Sequence, residues 1–124
     1  MRLPDNTPAN LITYYTPTGS RWICNPAPQN TDEDWLIFIE PIRSYVAFED
    51  WLIADGWIQD GSADPNWVRR DFVSYRKDHW NLIITANIDF FVSMKTATKL
   101  AKQFNLLQKK DRIDLFRAVM RGYA

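Results

Sequence analysis

The sequence predicts one α+β domain, and three observations carry that expectation. Short β-branched and aromatic runs, bounded by turn residues, fill the first and middle parts of the chain. Two stretches of helical periodicity close it. No linker, repeat or low-complexity tract divides its 124 residues, a length suited to a single compact domain.

Residues 1–10, with Pro4, Asp5, Asn6, Thr7 and Pro8, read as an irregular lead-in. Leu11 to Tyr15 reads as a strand that delivers the chain to a Thr18-Gly19-Ser20 turn. Ser20 to Cys24 is expected to make a helical turn, stopped by Pro26 and Pro28. A second strand is expected to carry Asp32 and Asp34 and to continue through Trp35 to Ile39. Ser44 to Trp57 places Tyr45, Phe48, Trp51 and Leu52 on one helical face, with Gly56 as the stop. GSADPN (61–66) reads as a turn. Trp67 to Arg76 and Trp80 to Thr85 then read as a hairpin about Lys77-Asp78-His79. A helix is expected from Ile88 to Asn105, capped by Asn87, and a last amphipathic one from Lys109 to Arg121 with Ile113, Phe116 and Met120 inward.

Six Trp, five Tyr and seven Phe give a small domain large side chains for its core. There is no run of 18 apolar residues and no basic–apolar–small start, so neither a membrane span nor a signal peptide is expected. The single cysteine, Cys24, excludes an internal disulfide and suits a cytoplasmic location. Net charge is zero but unevenly spread: residues 95–124 hold eight Lys or Arg against Asp111 and Asp114. A basic tail laid over an acidic body, a surface for a polyanion and ordinary solvated helix faces all fit that partition.

The chemistry concentrates in two short motifs. Gly19-Ser20-Arg21 is followed, about ten residues on, by Asp32-Glu33-Asp34 at the head of the apolar run Trp35-Leu36-Ile37-Phe38-Ile39. In a strand Asp32 and Asp34 share one face and Glu33 takes the other. Two carboxylates there repel each other and resist desolvation, and a cation between them relieves both; oxygen-only ligands favour Mg²⁺ or Mn²⁺. The glycine–serine turn offers N–H groups and a hydroxyl to phosphate oxygens. Taken singly, each motif has a plainer reading, as a common turn and as a loop or helix start.

Together, in this order and spacing, they resemble the signature of the DNA polymerase β-like nucleotidyltransferase superfamily in its minimal forms. The finer text, TGSRWICNP, TDEDW, FVSYR, NLIIT and KKDRIDLF, is similar to small nucleotidyltransferase-like proteins of tailed bacteriophages, from about Leu11 to Gly122. The resemblance implies one nucleotidyltransferase-like domain over 1–124, a compact mixed sheet with helices packed on one face and two C-terminal helices. It implies Mg²⁺ (or Mn²⁺) held by Asp32 and Asp34, a nucleoside triphosphate at Gly19 and Ser20, and transfer of a nucleoside monophosphate to a hydroxyl. The acceptor stays open among nucleic acid, protein and small molecule, with no membrane partner. For a phage-encoded chain the location is the host cytoplasm.

The family's third carboxylate would fall on the Trp80–Thr85 strand, where this chain has Asn81. Asn81 carries no charge and cannot act as a base. Asp71, Asp78 and Asp89 are the substitutes considered, with solvated positions and a helix-terminal charge as their plainer readings. Arg21 and Arg76 are candidate phosphate contacts, or else a surface and a sheet-face arginine. Lys95, Lys99 and Lys102 form a row for a phosphate backbone or a solvated face. His79, the only histidine, reads as a turn residue. Trp22 and Trp35, nearest the motif, are core residues or base-stacking platforms. The weakened site also admits a second function: a binding protein on the same fold that senses a nucleotide, masks a host protein or neutralises a toxin.

Overall fold

The computed structural model describes residues 2–29, 31–60 and 72–123. Its elements are β1 (Tyr14–Thr18), α1 (Gly19–Ile23), β2 (Glu33–Phe38), α2 (Ile42–Ala54), β3 (Ile58–Gln59), β4 (Val73–Lys77), β5 (Trp80–Thr85), α3 (Ile88–Gln103) and α4 (Lys109–Tyr123). A short 3₁₀ turn, Ala9–Leu11, precedes them.

The strands form one mixed sheet in the order β1-β2-β5-β4-β3. Among the described residues only the central pair, β2 and β5, is parallel; β1–β2, β4–β5 and β3–β4 are antiparallel. A parallel pair cannot be closed by a tight turn, and the chain makes the crossover through α2. β2 is buried on both faces from Trp35 to Phe38, which is why it reads as a continuous apolar run. Side chains alternate along it. Trp35 and Ile37 pack with Phe48 and Leu52 of α2, and Leu36 and Phe38 with Phe90 and Phe91 of α3 and Phe116 of α4. Thus α2 covers one face, and the two C-terminal helices cover the other, where Ile23 of α1 meets Ala101 of α3.

Several boundaries follow the expected local chemistry. Asn87 caps α3, its side chain accepting from the N–H groups of Asp89 and Phe90. Gly56, at φ +84°, follows α2 as its stop. The β4–β5 hairpin pairs Lys77 with Trp80, and Asp78 takes a positive φ in the turn. Ile113 and Phe116 of α4 are buried and Met120 is half-buried.

The first strand lies further along than Leu11–Tyr15. Its N-terminal part is the 3₁₀ turn, and the ladder runs through Pro17 to Thr18. Proline is admitted because β1 is an edge strand with one side free of any ladder. The second strand likewise begins at Glu33, leaving Asp32 just ahead of it. GSADPN and the Trp67–Asp71 part of the expected hairpin lie outside the described residues. No helix among the described residues is long and apolar enough to cross a membrane.

Candidate functional site

The sheet register gathers the two motifs. Thr18, last in β1, pairs with Asp34, and Asp34 pairs with Asn81 across the parallel ladder. The Gly19-Ser20 turn therefore emerges beside Asp34 because β1 ends there. Asp34 sits near the start of β2, and Asn81 near the start of β5, at the common end of the parallel pair. These residues open into a cleft of about 1050 Å³ between the sheet and α3 and α4. Thr18, Gly19, Ser20, Asp32, Asp34 and Asn81 line one part of it, and Ser74, Arg76 and Asp60 the strand side.

Gly19 is needed at its position. Its φ is +79°, and a β-carbon there would stand 2.8 Å from Asp34 Cγ and 2.9 Å from Asp34 Cβ. The absent side chain is thus the space the Asp34 carboxylate fills. On the other side, Asn81 Nδ2 donates to Asp34 Oδ1 at 3.0 Å. Burial pushes the Asp34 carboxyl up from 3.8 to about 6; the Asn81 hydrogen bond and the Arg76 charge pull it down, and the Asp32 charge adds to the rise. Asp32 is therefore near enough for its charge to be felt.

Asp32 itself is paired with Arg76, whose Nη1 donates to Asp32 Oδ2 and whose Nε donates to Asp60 Oδ2 at 3.1 Å. Glu33 points to the opposite face of the sheet, as strand alternation requires. There its Oε2 accepts from Trp80 Nε1 at 2.8 Å and lies 3.6 Å from His79 Nε2.

A divalent cation would find a partial shell. Asn81 spends its amide nitrogen on Asp34, so its oxygen Oδ1 is left buried with no hydrogen-bond partner. A buried, unsatisfied acceptor beside a desolvated carboxylate is the environment a cation completes. Asp34, Asn81 and, once released from Arg76, Asp32 fit an oxygen-liganded Mg²⁺ or Mn²⁺. Among the described residues no group of three or more His, Cys, Asp or Glu side chains gathers for a metal. The set is two carboxylates and one neutral amide.

Other candidates fall elsewhere. Arg21 is exposed and donates from Nη1 to the carbonyl of Thr31 at 3.2 Å, bracing the 24–31 bridge; it does not line the cleft. Asp78 lies in the hairpin turn and Asp89 in the first turn of α3, both away from the cleft lining, and Asp71 is outside the described residues. Trp35 is buried in the core, so it offers no stacking platform. The lysine row is divided: Lys102 donates to the carbonyl of Trp22 at 2.7 Å and lies over the Trp22 ring, whereas Lys95 and Lys99 border a shallow groove beside Tyr14 and Phe91.

Three charged cleft residues, Asp60, Lys109 and Arg112, are not among the site residues expected from the motifs. Asp60 reaches Arg76 because the two-residue strand β3 pairs with β4, a contact too short to leave a periodic signal. Lys109 and Arg112 come from α4, which folds back over the cleft. Their only sequence sign is the basic bias of the C-terminal segment. No protein-family model, curated protein or solved structure matches the chain.

Proposed function

We propose that the chain is a metal-dependent nucleotidyltransferase, moving a nucleoside monophosphate from a nucleoside triphosphate to a hydroxyl and releasing pyrophosphate. The observation that carries this reading is the Asp34 carboxylate, held in the gap left by Gly19, hydrogen-bonded by Asn81 and desolvated enough to titrate near pH 6. A buried anion flanked by an orphaned amide oxygen has no purely structural benefit, because its burial costs stability.

Asp34, Asp32 and the Asn81 oxygen would hold the cation, which would supply Lewis-acid stabilisation of the charge that develops on the phosphate. Ser20 lines the same part of the cleft and offers its hydroxyl to the phosphates. Arg76 bridges Asp32 and Asp60 across the strand side of the cleft, and its guanidinium supplies positive charge where the transferring phosphate gathers negative charge. Asn81 cannot take a proton, so the acceptor hydroxyl's proton passes to water.

The neutral Asn81 favours a second reading, in which the cleft binds nucleotide without turning it over, as in a sensor or a partner that masks another protein. One fewer anionic ligand weakens cation binding.

The test is a thermal shift of wild type and Asp34→Asn with each of the four nucleoside triphosphates, with and without Mg²⁺. Ligand at about a hundred times its dissociation constant stabilises the fold by roughly 2.7 kcal/mol. A Mg²⁺-dependent shift abolished by Asp34→Asn, followed by pyrophosphate release, supports transfer. A shift without pyrophosphate release, across nucleic-acid, protein and small-molecule acceptors, supports the binding reading. No shift with any triphosphate overturns transfer and nucleotide sensing and favours a fold that masks another protein.

A further inference from the structure

Arg112 lines the cleft from α4 and is half-buried, yet its guanidinium is only partly used by the protein. Nη1 donates to the carbonyls of Leu106 and Leu107, each at 2.9 Å, and lies 3.4 Å from Cys24 Sγ. Those contacts fix the group against the turn between α3 and α4. Among the described residues Nε and Nη2 have no acceptor, and no carboxylate pairs with the charge. Of the acids on its own helix, Asp114 is beside Lys110 at 3.6 Å and Asp111 is exposed. A guanidinium has five donors in a planar fork, and the unused Nε–Nη2 edge is the one that meets two oxygens of a phosphate together.

A guanidinium held in place along one edge presents its other edge ready for an anion. Lys109, three residues earlier on α4, lines the same cleft and adds a second positive charge. The same cleft carries Asp32, Asp34 and Asp60 with Arg76. Its lining therefore holds both carboxylates and cations.

Arg112 is anchored at Cys24, whose N–H donates to the carbonyl of Ser20 one helical turn earlier. Cys24 is thus about 6 Å along α1 from Ser20, which lines the same cleft. We infer that Arg112, assisted by Lys109, binds the terminal phosphate of a nucleoside triphosphate whose reacting end lies at Asp34. The identity of the ligand rests on the nucleotidyltransferase reading; the anion site rests on Arg112 alone.

The consequence is selectivity for triphosphate over diphosphate that depends on α4. Affinities of nucleoside di- and triphosphates and of inorganic tripolyphosphate, all with Mg²⁺, are measured by calorimetry for wild type, Arg112→Gln, Arg112→Lys and Lys109→Gln. Wild type is expected to prefer the triphosphate by about tenfold or more, the scale of a charge-assisted phosphate contact. Arg112→Gln removes that preference and leaves diphosphate affinity unchanged; Arg112→Lys, which keeps the charge but not the fork, and Lys109→Gln reduce it in part. A general loss of packing would weaken both ligands together, so the ratio separates binding from structure. Should Arg112→Gln not fold, the exposed Lys109→Gln and the charge-retaining Arg112→Lys carry the comparison.

An unchanged ratio in all variants overturns the inference while leaving the nucleotide reading intact. Arg112-dependent binding of tripolyphosphate without nucleotide binding keeps the anion site and overturns the nucleotide reading. Binding of neither overturns both.

Discussion

Gly19 and Asp34 share one volume: the carboxylate of Asp34 occupies the space a side chain at Gly19 would take, with Asp34 Cγ 2.8 Å from the position of that missing β-carbon. The glycine of the turn is therefore a packing partner of the acid that the cleft is built around. A substitution there acts on the chemistry through Asp34 as well as on the backbone.

Gly19→Ala is expected to destabilise the domain by about 2 kcal/mol or more, from the clash together with the +79° φ. In an Asp34→Ala background the carboxylate is gone and the cost falls to the +79° φ and the contact with the remaining β-carbon, 2.9 Å away. Denaturant melts of the four proteins measure this coupling. Equal costs in both backgrounds would show that the two residues do not compete for space.

Asp34 makes the stability of the cation-free protein depend on pH with a definite sign. Its folded pKa, about 6, lies above the ordinary 3.8, so the folded state holds its proton more tightly. That contribution is complete below 3.8 and is lost as pH rises through 6. The shift corresponds to about 3 kcal/mol at most. Asp34→Asn, neutral throughout, should melt above wild type at pH 7.5 without a divalent cation and converge with it near pH 4. Scanning calorimetry across that range checks both limbs; parallel curves would contradict the raised pKa.

Arg76 lowers the Asp34 pKa through its charge, so Arg76→Met should raise it further. Carbon-detected NMR titration of the Asp34 carboxyl reads the change directly. The same variant frees Asp32 and is expected to slow nucleotide transfer by about tenfold or more if Arg76 contacts the transferring phosphate. A faster enzyme would indicate that Arg76 instead competes with the cation for Asp32.

Asn81→Asp places a third carboxylate directly across the ladder from Asp34. Like charges at that separation should destabilise the cation-free fold by about 1 kcal/mol or more and tighten Mn²⁺ binding by about tenfold. Thermal melts and Mn²⁺ titration by electron paramagnetic resonance test the two effects together. Gain of turnover would identify Asn81 as what limits catalysis; tighter metal without turnover would support the binding reading.

Much of this was readable along the chain because its causes are local. The apolar run 35–39, the cap at Asn87, the stop at Gly56 and the inward face of α4 each depend on residues within a turn or two. β1 extends beyond Tyr15 through Pro17 to Thr18, which depends on the strand being an edge, and sheet order is set by the tertiary structure. Of the two readings of Arg21, phosphate contact or surface arginine, the sequence selects neither; one residue along a helix is about 100° around it, and the exposed side chain donates to the Thr31 carbonyl.

The sequence by itself determined the α+β plan, the alternation that separates Asp32 and Asp34 from Glu33, and the neutral residue at position 81, since side-chain period and residue identity need no partner. Only the tertiary structure decided which groups meet. It set Asn81 against Asp34 through the β2–β5 register, and it gave Asp34 its raised pKa through burial. It also brought Asp60 to Arg76, and Lys109 and Arg112 into the same cleft. Strand register and helix docking are set by how the whole hydrophobic core packs, and desolvation exists only once that core has closed.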